Sequence, residues 1–137
     1  MRERITYTDG YIYQLHDDYT MQTVITGHEI NTPLIALHMD GVLTIKRGYA
    51  WDGASGPTIN TRSSMRGSLV HDALYQLMRL DLIGQHNRKY ADAYLRDICI
   101  ADGMFKWRAW LWYHMVRLFA MPAANAENDR KIYTAPK

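Results

Sequence analysis

The stretch RSSMRGSLVHDALYQLMRL, residues 62–80, decides the fold class, because its apolar residues recur at intervals of three and four. This spacing predicts a long amphipathic helix over Arg62–Leu80 that packs one face on a core. Its apolar positions are Met65, Leu69, Ala73, Leu74, Leu77 and Met78. The same periodicity predicts a second helix over about Arg88–Ala101, after a loop through Gly84–Asn87, and a third over about Phe105–Ala120. We therefore expect a three-helix core whose first two helices are antiparallel.

The first fifty residues follow a different pattern, rich in Tyr, Thr, Ile and Val and interrupted by turn dipeptides. Asp9-Gly10 and Asp40-Gly41 are favoured pairs for tight hairpins, because both residues of such a pair can take positive φ. The predicted strands are Arg4–Thr8, Tyr11–Leu15, Tyr19–Ile25, Leu34–His38 and Val42–Ile45. The fold class is therefore predicted to be α+β, with N-terminal antiparallel β-hairpins followed by the helical core.

The length of 137 residues fits a single domain, with a β-rich part over 1–50, a loop and helical core over 51–121 and a tail over 122–137. The 16 basic and 14 acidic residues give a formal net charge of +2, so we expect no nucleic-acid partner. The single cysteine, Cys99, excludes an internal disulfide. We expect neither a secretory signal peptide nor a transmembrane helix, because no apolar run is long and uninterrupted enough.

Three features carry candidate chemistry: an irregular loop over 48–60 containing WDGAS, the pair His71-Asp72 in the first helix, and Asp92 in the second. His71 shares a helix face with Gly67, Ser68 and Tyr75, and the two small residues are expected to leave space for a ligand beside the imidazole. Asp92 lies at the margin of an apolar stripe, where a buried carboxylate needs a partner. We expect that partner to be the histidine of the neighbouring helix.

This arrangement suits general-base catalysis. A carboxylate that accepts the Nδ1 proton of His71 would leave Nε2 free to take a proton from water. Asp72 points about 100° away around the helix, and with carbonyls of the glycine-containing loop it suits a hard cation. The pattern predicts ester hydrolysis without a covalent intermediate. Three alternatives stay open. His71 and Asp92 could form a purely structural pair, Asp92 could bind Arg88 or Arg96 locally, and the loop could be only a turn.

In order along the chain, WDGASGP, HDALY and RKYADAYLRD resemble the core of the phospholipase A2 superfamily, especially its small bacterial, fungal and viral members. The resemblance covers about Trp51–Asp102. It implies that His71 activates water, that Asp92 orients His71 and that Tyr75 supports this His-Asp dyad. It also implies a calcium (Ca²⁺) site, formed by Asp72 and by the loop residues Asp52, Gly53 and Ser55. Where bacterial members pair two cysteines, this sequence has Ala54 and Ser68, so the resemblance is to a disulfide-free version.

A second resemblance covers nearly the whole chain. Hairpins that lead into YAWDGASGP and a helix containing LVHDALY are similar to a family of small bacteriophage-encoded proteins with no assigned function. This resemblance implies a phage or prophage origin, and a place in the host cytoplasm or in the virion.

The third helix combines six aromatic residues with Lys106, Arg108 and Arg117, which suits either a membrane interface or packing on the first two helices. The expected partners are a phospholipid membrane surface and other phage proteins or a second copy of the chain. Two rival functions remain open. One is a metal-dependent phosphohydrolase that adds His86, His114 and Asp92 to the His71-Asp72 pair. The other is a non-enzymatic phage structural or assembly protein with an interaction edge at the N-terminal hairpins.

Overall fold

The strands precede the helices along the chain, as the two sequence patterns predict. The computed structural model describes residues 4–8, 13–52 and 62–119. The strands are β1 (Tyr7–Thr8), β2 (Tyr13–Leu15), β3 (Tyr19–Gln22), β4 (Ile30–Asn31), β5 (Ile35–Leu37), β6 (Val42–Ile45) and β7 (Ala50–Trp51). The helices are α1 (Arg62–Arg79), α2 (Arg88–Ala101), which a short 3₁₀ turn precedes at Gln85–Asn87, and α3 (Lys106–Phe119). The α+β class is confirmed.

The strands form two antiparallel sheets, with strand orders β1-β2-β7 and β3-β6-β5-β4. In the first sheet Tyr13 pairs with Trp51, so the strand that precedes the 53–61 segment is held against the N-terminal hairpin. The indole Nε1 of Trp51 donates a hydrogen bond to Ser68 Oγ of α1 at 3.1 Å. These contacts hold the end of β7 against α1, and Asp52 is the next residue of the chain.

Two of the predicted β features differ from the structure. The 48–60 segment was predicted to be irregular, yet Ala50–Trp51 forms β7, because β2 supplies a partner that no local pattern shows. The strand predicted over Tyr19–Ile25 ends at Gln22, because the Thr23 hydroxyl takes over local bonding by donating to the Gly41 carbonyl and accepting from Ile25 N–H.

The turn between β5 and β6 also differs from the predicted one. Gly41 has a φ of +91°, but among the described residues Asp81 is the only non-glycine with positive φ, so Asp40 does not adopt it. A Cβ at position 41 would lie 2.4 Å from the Thr23 carbonyl oxygen, so this glycine is also required by close packing. The predicted Asp9-Gly10 turn lies outside the described residues.

Helices α1 and α2 are antiparallel and very close together. Their contacts run in opposite order, from Arg66 with Asp102 at one end to Tyr75 with Asp92 at the other. Between these, Gly67 lets α2 approach, since a Cβ there would lie 2.7 Å from the Cys99 sulfur. The strands, α1 and part of α2 share one hydrophobic core.

Helix α3 packs on α2 through a smaller, separate apolar cluster. Its Ala109, Trp112 and Val116 are buried there against Leu95 and Cys99. The opposite side of α3 leaves large apolar side chains exposed, so packing on the other helices accounts for only one side of this helix. In the part of the chain that the structure describes, no helix combines the length and apolarity needed to cross a bilayer.

Candidate active site

The centre of the candidate site is a buried contact between α1 and α2. The imidazole Nε2 of His71 lies 2.8 Å from Asp92 Oδ1. His71 is 8% exposed and Asp92 is 0% exposed. The predicted pairing of these residues is therefore present, but through the other ring nitrogen. Nε2 is the ring nitrogen farther from the backbone, and it is the one that reaches Asp92 on α2. Nδ1 therefore lies on the side of the ring that faces away from Asp92.

Both oxygens of Asp92 accept hydrogen bonds from several elements. Oδ1 also accepts the Tyr75 hydroxyl at 2.5 Å. Oδ2 accepts Arg117 Nη1 of α3 at 2.9 Å and lies 3.6 Å from Arg88 Nη1, one turn back on α2. The carboxylate thus joins all three helices at a single buried point.

These contacts decide between the local partners that the sequence left open for Asp92. Arg88 is one of its ion pairs, whereas Arg96 binds its neighbour Asp97 at 2.7 Å. Sequence reasoning did not identify Arg117 as a partner, because it is 25 residues away on another helix and no local spacing indicates the contact.

The charges of this network favour an ionised Asp92. Burial alone would raise the pKa of this carboxyl, but hydrogen bonds from His71, Tyr75 and Arg117 outweigh burial and lower the pKa. Burial alone would lower the pKa of His71, but the carboxylates of Asp72 and Asp92 outweigh burial and raise it. The pKa of Tyr75 is raised, first by burial and then by its bond to Asp92, so its hydroxyl remains a donor.

Helix α3 is attached to the network twice. Arg117 donates to Asp92, and Arg88 Nη1 donates to the carbonyl oxygen of Arg117 at 3.1 Å and to that of Val116 at 3.5 Å. A cation at the C-terminal turn of a helix is favourable, because carbonyl groups there lack helical partners. The last turn of α3 therefore holds the same carboxylate that binds the histidine.

The second predicted cluster lies on the other side of the imidazole. Asp72 Oδ1 is 3.8 Å from His71 Nδ1, and the Asp72 side chain is 37% exposed. The negative charges of Asp72 and Asp52 both act on the phenol of Tyr49, which is buried. The pKa of Tyr49 is raised, mainly by burial and then by these two carboxylates, against the opposing charge of Arg79. Two of the predicted calcium ligands therefore influence the same buried phenol.

The rest of the predicted metal site lies outside the described residues. These remaining positions are Gly53 and Ser55, together with Ala54 between them. Within 4–8, 13–52 and 62–119, no group of three or more His, Cys, Asp or Glu side chains is arranged to hold a metal ion. His86 and His114, which the phosphohydrolase reading adds, are both exposed.

The small residues beside His71 are used for packing, and the expectation that they leave space for a ligand is wrong. Gly67 faces Cys99 and the Leu95 carbonyl oxygen, which would lie 2.7 Å and 3.0 Å from an added Cβ. Ser68 is buried and accepts the indole of Trp51. The physical reason is that α1 is central and packs on neighbours from both the sheet and α2. Tyr75 does lie beside His71, with ring centroids 4.1 Å apart.

A cavity of about 350 Å³ lies toward the N-terminus of α1 and includes none of the His71 network. Arg66 lines it, with both Nε and Nη2 bonded to the Asp102 carboxylate at 3.0 Å and 2.9 Å. Its Nη1 donates to the Tyr19 hydroxyl. Because this guanidinium is already neutralised, the cavity does not present it to an anionic ligand.

Comparisons with known proteins place the chain in a family. A family model described as a protein of unknown function (DUF1353) matches residues 28–116, and the chain belongs to that family. No curated protein and no solved structure matches the chain. The matched segment includes His71, Asp72, Tyr75 and Asp92 and ends immediately before Arg117. Most of the network is therefore part of the family's domain, whose description assigns no activity.

Proposed function

We propose that this DUF1353 protein is a calcium-dependent acyl-ester hydrolase of phospholipase A2 type and of phage origin. The observation that carries the proposal is the buried bond from His71 to Asp92, with the Tyr75 hydroxyl on the same carboxylate oxygen. The phospholipase resemblance assigns the dyad and its supporting phenol to these three residues. His71 and Tyr75 lie one turn apart on α1, Asp92 lies on α2, and the three residues meet in one network.

His71 has the features of a general base. With its proton on Nε2, where Asp92 accepts it, the neutral imidazole has its free electron pair on Nδ1. Nδ1 lies on the side of the partly exposed Asp72, where a water molecule would be bound. When Nδ1 takes a proton from that water, the ionised Asp92 stabilises the resulting imidazolium. Tyr75 and Arg117 hold the carboxylate in place throughout.

The described part of the proposed metal site fits a hard cation in donor type. Asp52 and Asp72 are carboxylates, and both act on Tyr49. The proposed further ligands are Gly53 and Ser55. Calcium bound there would supply polarisation of the ester carbonyl.

The test is fatty-acid release from anionic phospholipid vesicles, with calcium or with EGTA. We expect wild-type release to require calcium and His71→Ala to lower it by about 10²–10⁴-fold, the usual contribution of a general base. Asp72→Asn should raise the calcium concentration needed. The matched control is His38→Ala, which removes an exposed histidine paired with Glu29 on the sheet and should leave release unchanged.

Full release by His71→Ala would contradict the assignment of the base. No release by folded wild-type protein would contradict the hydrolase proposal itself. That second result would favour the alternative of a non-enzymatic phage structural or assembly protein, and the complete burial of Asp92 fits a purely structural role for the network. A purely structural network predicts that His71→Ala lowers the free energy of unfolding and that no ester is cleaved.

A further inference from the structure

The outward side of α3 carries a stripe of exposed apolar side chains. Trp107 is 68% exposed and Leu118 72%. Trp110 and Leu111 are 44% and 52% exposed. We call these four residues the α3 face. Single exposed apolar residues are ordinary on a protein surface, but a contiguous stripe containing two tryptophans indicates an interaction site.

The α3 face is distinct from the side of the helix that packs on α2. Ala109, Trp112 and Val116 are buried on the inner side. At 100° per residue, Trp107, Leu111 and Leu118 lie within about 40° of each other on the outer side. Helix α3 is therefore apolar on two opposite sides, and the described residues cover only the inner one.

The charges around the α3 face are basic. Helix α3 contains no Asp or Glu. Lys106 and Arg108 each lie about 100° from Trp107, on opposite flanks of the stripe. Arg96 of α2 has its guanidinium 4.3 Å from the ring centre of Trp110, but it is paired with Asp97 at 2.7 Å, so the positive charge beside the face comes from Lys106 and Arg108 of α3. Apolar side chains flanked by basic ones complement a partner surface that has an apolar interior and negatively charged groups around it.

We propose that the α3 face docks on the surface of an anionic phospholipid bilayer, with the helix axis in the membrane plane. The inference deepens the proposed function, on which it rests for the choice of a phospholipid partner. The two tryptophans would lie at headgroup depth, and Lys106 and Arg108 would meet lipid phosphates. The 14 residues of α3 span only about 21 Å, less than the bilayer core, so the helix lies on the surface.

The same charges favour a lipid surface over a second copy of the chain. A two-fold contact brings the same patch of both copies together. Lys106 and Arg108 of one α3 would then approach the same basic residues of the other, and α3 has no carboxylate to offset them. An anionic membrane offers the opposite charge along the whole stripe.

The experiment measures binding without hydrolysis, by co-sedimentation with phosphatidylglycerol–phosphatidylcholine vesicles in EGTA. We expect wild-type protein to bind these vesicles, to bind pure phosphatidylcholine less, and to lose affinity as salt is raised. The double variant Trp107→Ser and Leu111→Ser should bind at least about tenfold more weakly, because two exposed apolar side chains no longer enter the interface. Lys106→Glu should weaken binding only to the anionic vesicles.

The matched control is the double variant Val24→Ser and Met39→Ser, which changes two side chains that are 61% and 57% exposed in the β part. It should bind as wild type does. Circular dichroism checks that each variant is folded, and analytical ultracentrifugation reports the oligomeric state without vesicles.

Equal binding by the α3 variant and wild type would overturn the proposal, as would an equal loss in the control. Absence of vesicle binding, with a wild-type oligomer that the α3 variant dissolves, would also overturn it and assign the face to a second copy. Fatty-acid release without α3-dependent binding would contradict the docking surface alone. Vesicle binding that depends on α3, without release under assay conditions, would contradict the proposed hydrolysis alone.

Discussion

Replacing Asp92 by asparagine tests whether this carboxylate joins the three helices. Its Oδ1 accepts from His71 and Tyr75 at 2.8 Å and 2.5 Å, and its Oδ2 accepts from Arg117 at 2.9 Å. An asparagine side chain has one accepting oxygen, and its amide nitrogen donates. With the amide oxygen toward His71 and Tyr75, the amide nitrogen meets the Arg117 donor; with the amide turned round, His71 and Tyr75 must change from donors to acceptors. The substitution also leaves Arg88 and Arg117 without their negative partner.

The expected magnitude follows from the burial of the site. A hydrogen bond to a charged group contributes about 1.5–3 kcal/mol, and removing one partner of a buried ion pair costs about 3–5 kcal/mol. Because Asp92 is 0% exposed, we expect Asp92→Asn to lower the free energy of unfolding by about 3–5 kcal/mol. That is a large part of the about 5–15 kcal/mol of a typical domain.

Urea denaturation measures the effect as a lower midpoint with an unchanged m-value. The matched control is Asp97→Asn on the same helix, which removes a carboxylate that is 61% exposed and bonded to Arg96. An exposed pair contributes about 0–1 kcal/mol, so the control should unfold close to wild type. If the two variants differ by less than about 1 kcal/mol, the reasoning that Asp92 holds the helices together is refuted.

Two further predictions concern the same helix pair. Because the pKa of Asp92 is lowered in the folded state, its contribution to stability is present above the ordinary value of 3.8 and is lost as pH falls through the folded-state pKa. Because the pKa of His71 is raised, its contribution is present below the ordinary value of 6.5 and is lost as pH rises through the folded-state pKa. In EDTA, the difference in unfolding free energy between wild type and Asp92→Asn should therefore be largest between pH 3.8 and 6.5, and a difference that is flat from pH 3 to 9 would contradict these shifts. Gly67→Ala should lower the free energy of unfolding by about 1–3 kcal/mol, because the added methyl group would lie 2.7 Å from the Cys99 sulfur. Thermal unfolding measures this effect, with Lys89→Ala on the exposed side of α2 as the control. If Gly67→Ala melts at the same temperature as wild type, α1 and α2 can move apart at no cost in stability and the prediction is wrong.

Much of the helical part was predictable, because long apolar periodicity leaves little ambiguity. The second helix was predicted over Arg88–Ala101 and has those bounds, and the first differs from the predicted Arg62–Leu80 by one residue. The strands were less predictable. β4 and β7 have two residues each, too few for an alternating pattern, and they exist because other strands pair with them.

In the candidate site, the sequence was informative where burying a single charged residue would be unfavourable. A carboxylate in an apolar stripe needs a partner, and this argument led from Asp92 to His71. It could not identify the ring nitrogen involved, which depends on the distance between the two helices. It also could not identify Arg117, which reaches Asp92 from a third helix.

The sequence by itself determined the α+β class and the three helices, because periodicity acts locally along the chain, and the cost of burying a charge made His71 a predicted partner of Asp92 beside the local arginines. Only the tertiary structure decided that Gly67 and Ser68 are used for packing, that Asp92 joins α1, α2 and α3, and that α3 is buried on one side and exposed on the other. These features depend on how closely helices approach and which faces they share. Such distances arise when the whole core packs, and no single segment contains them.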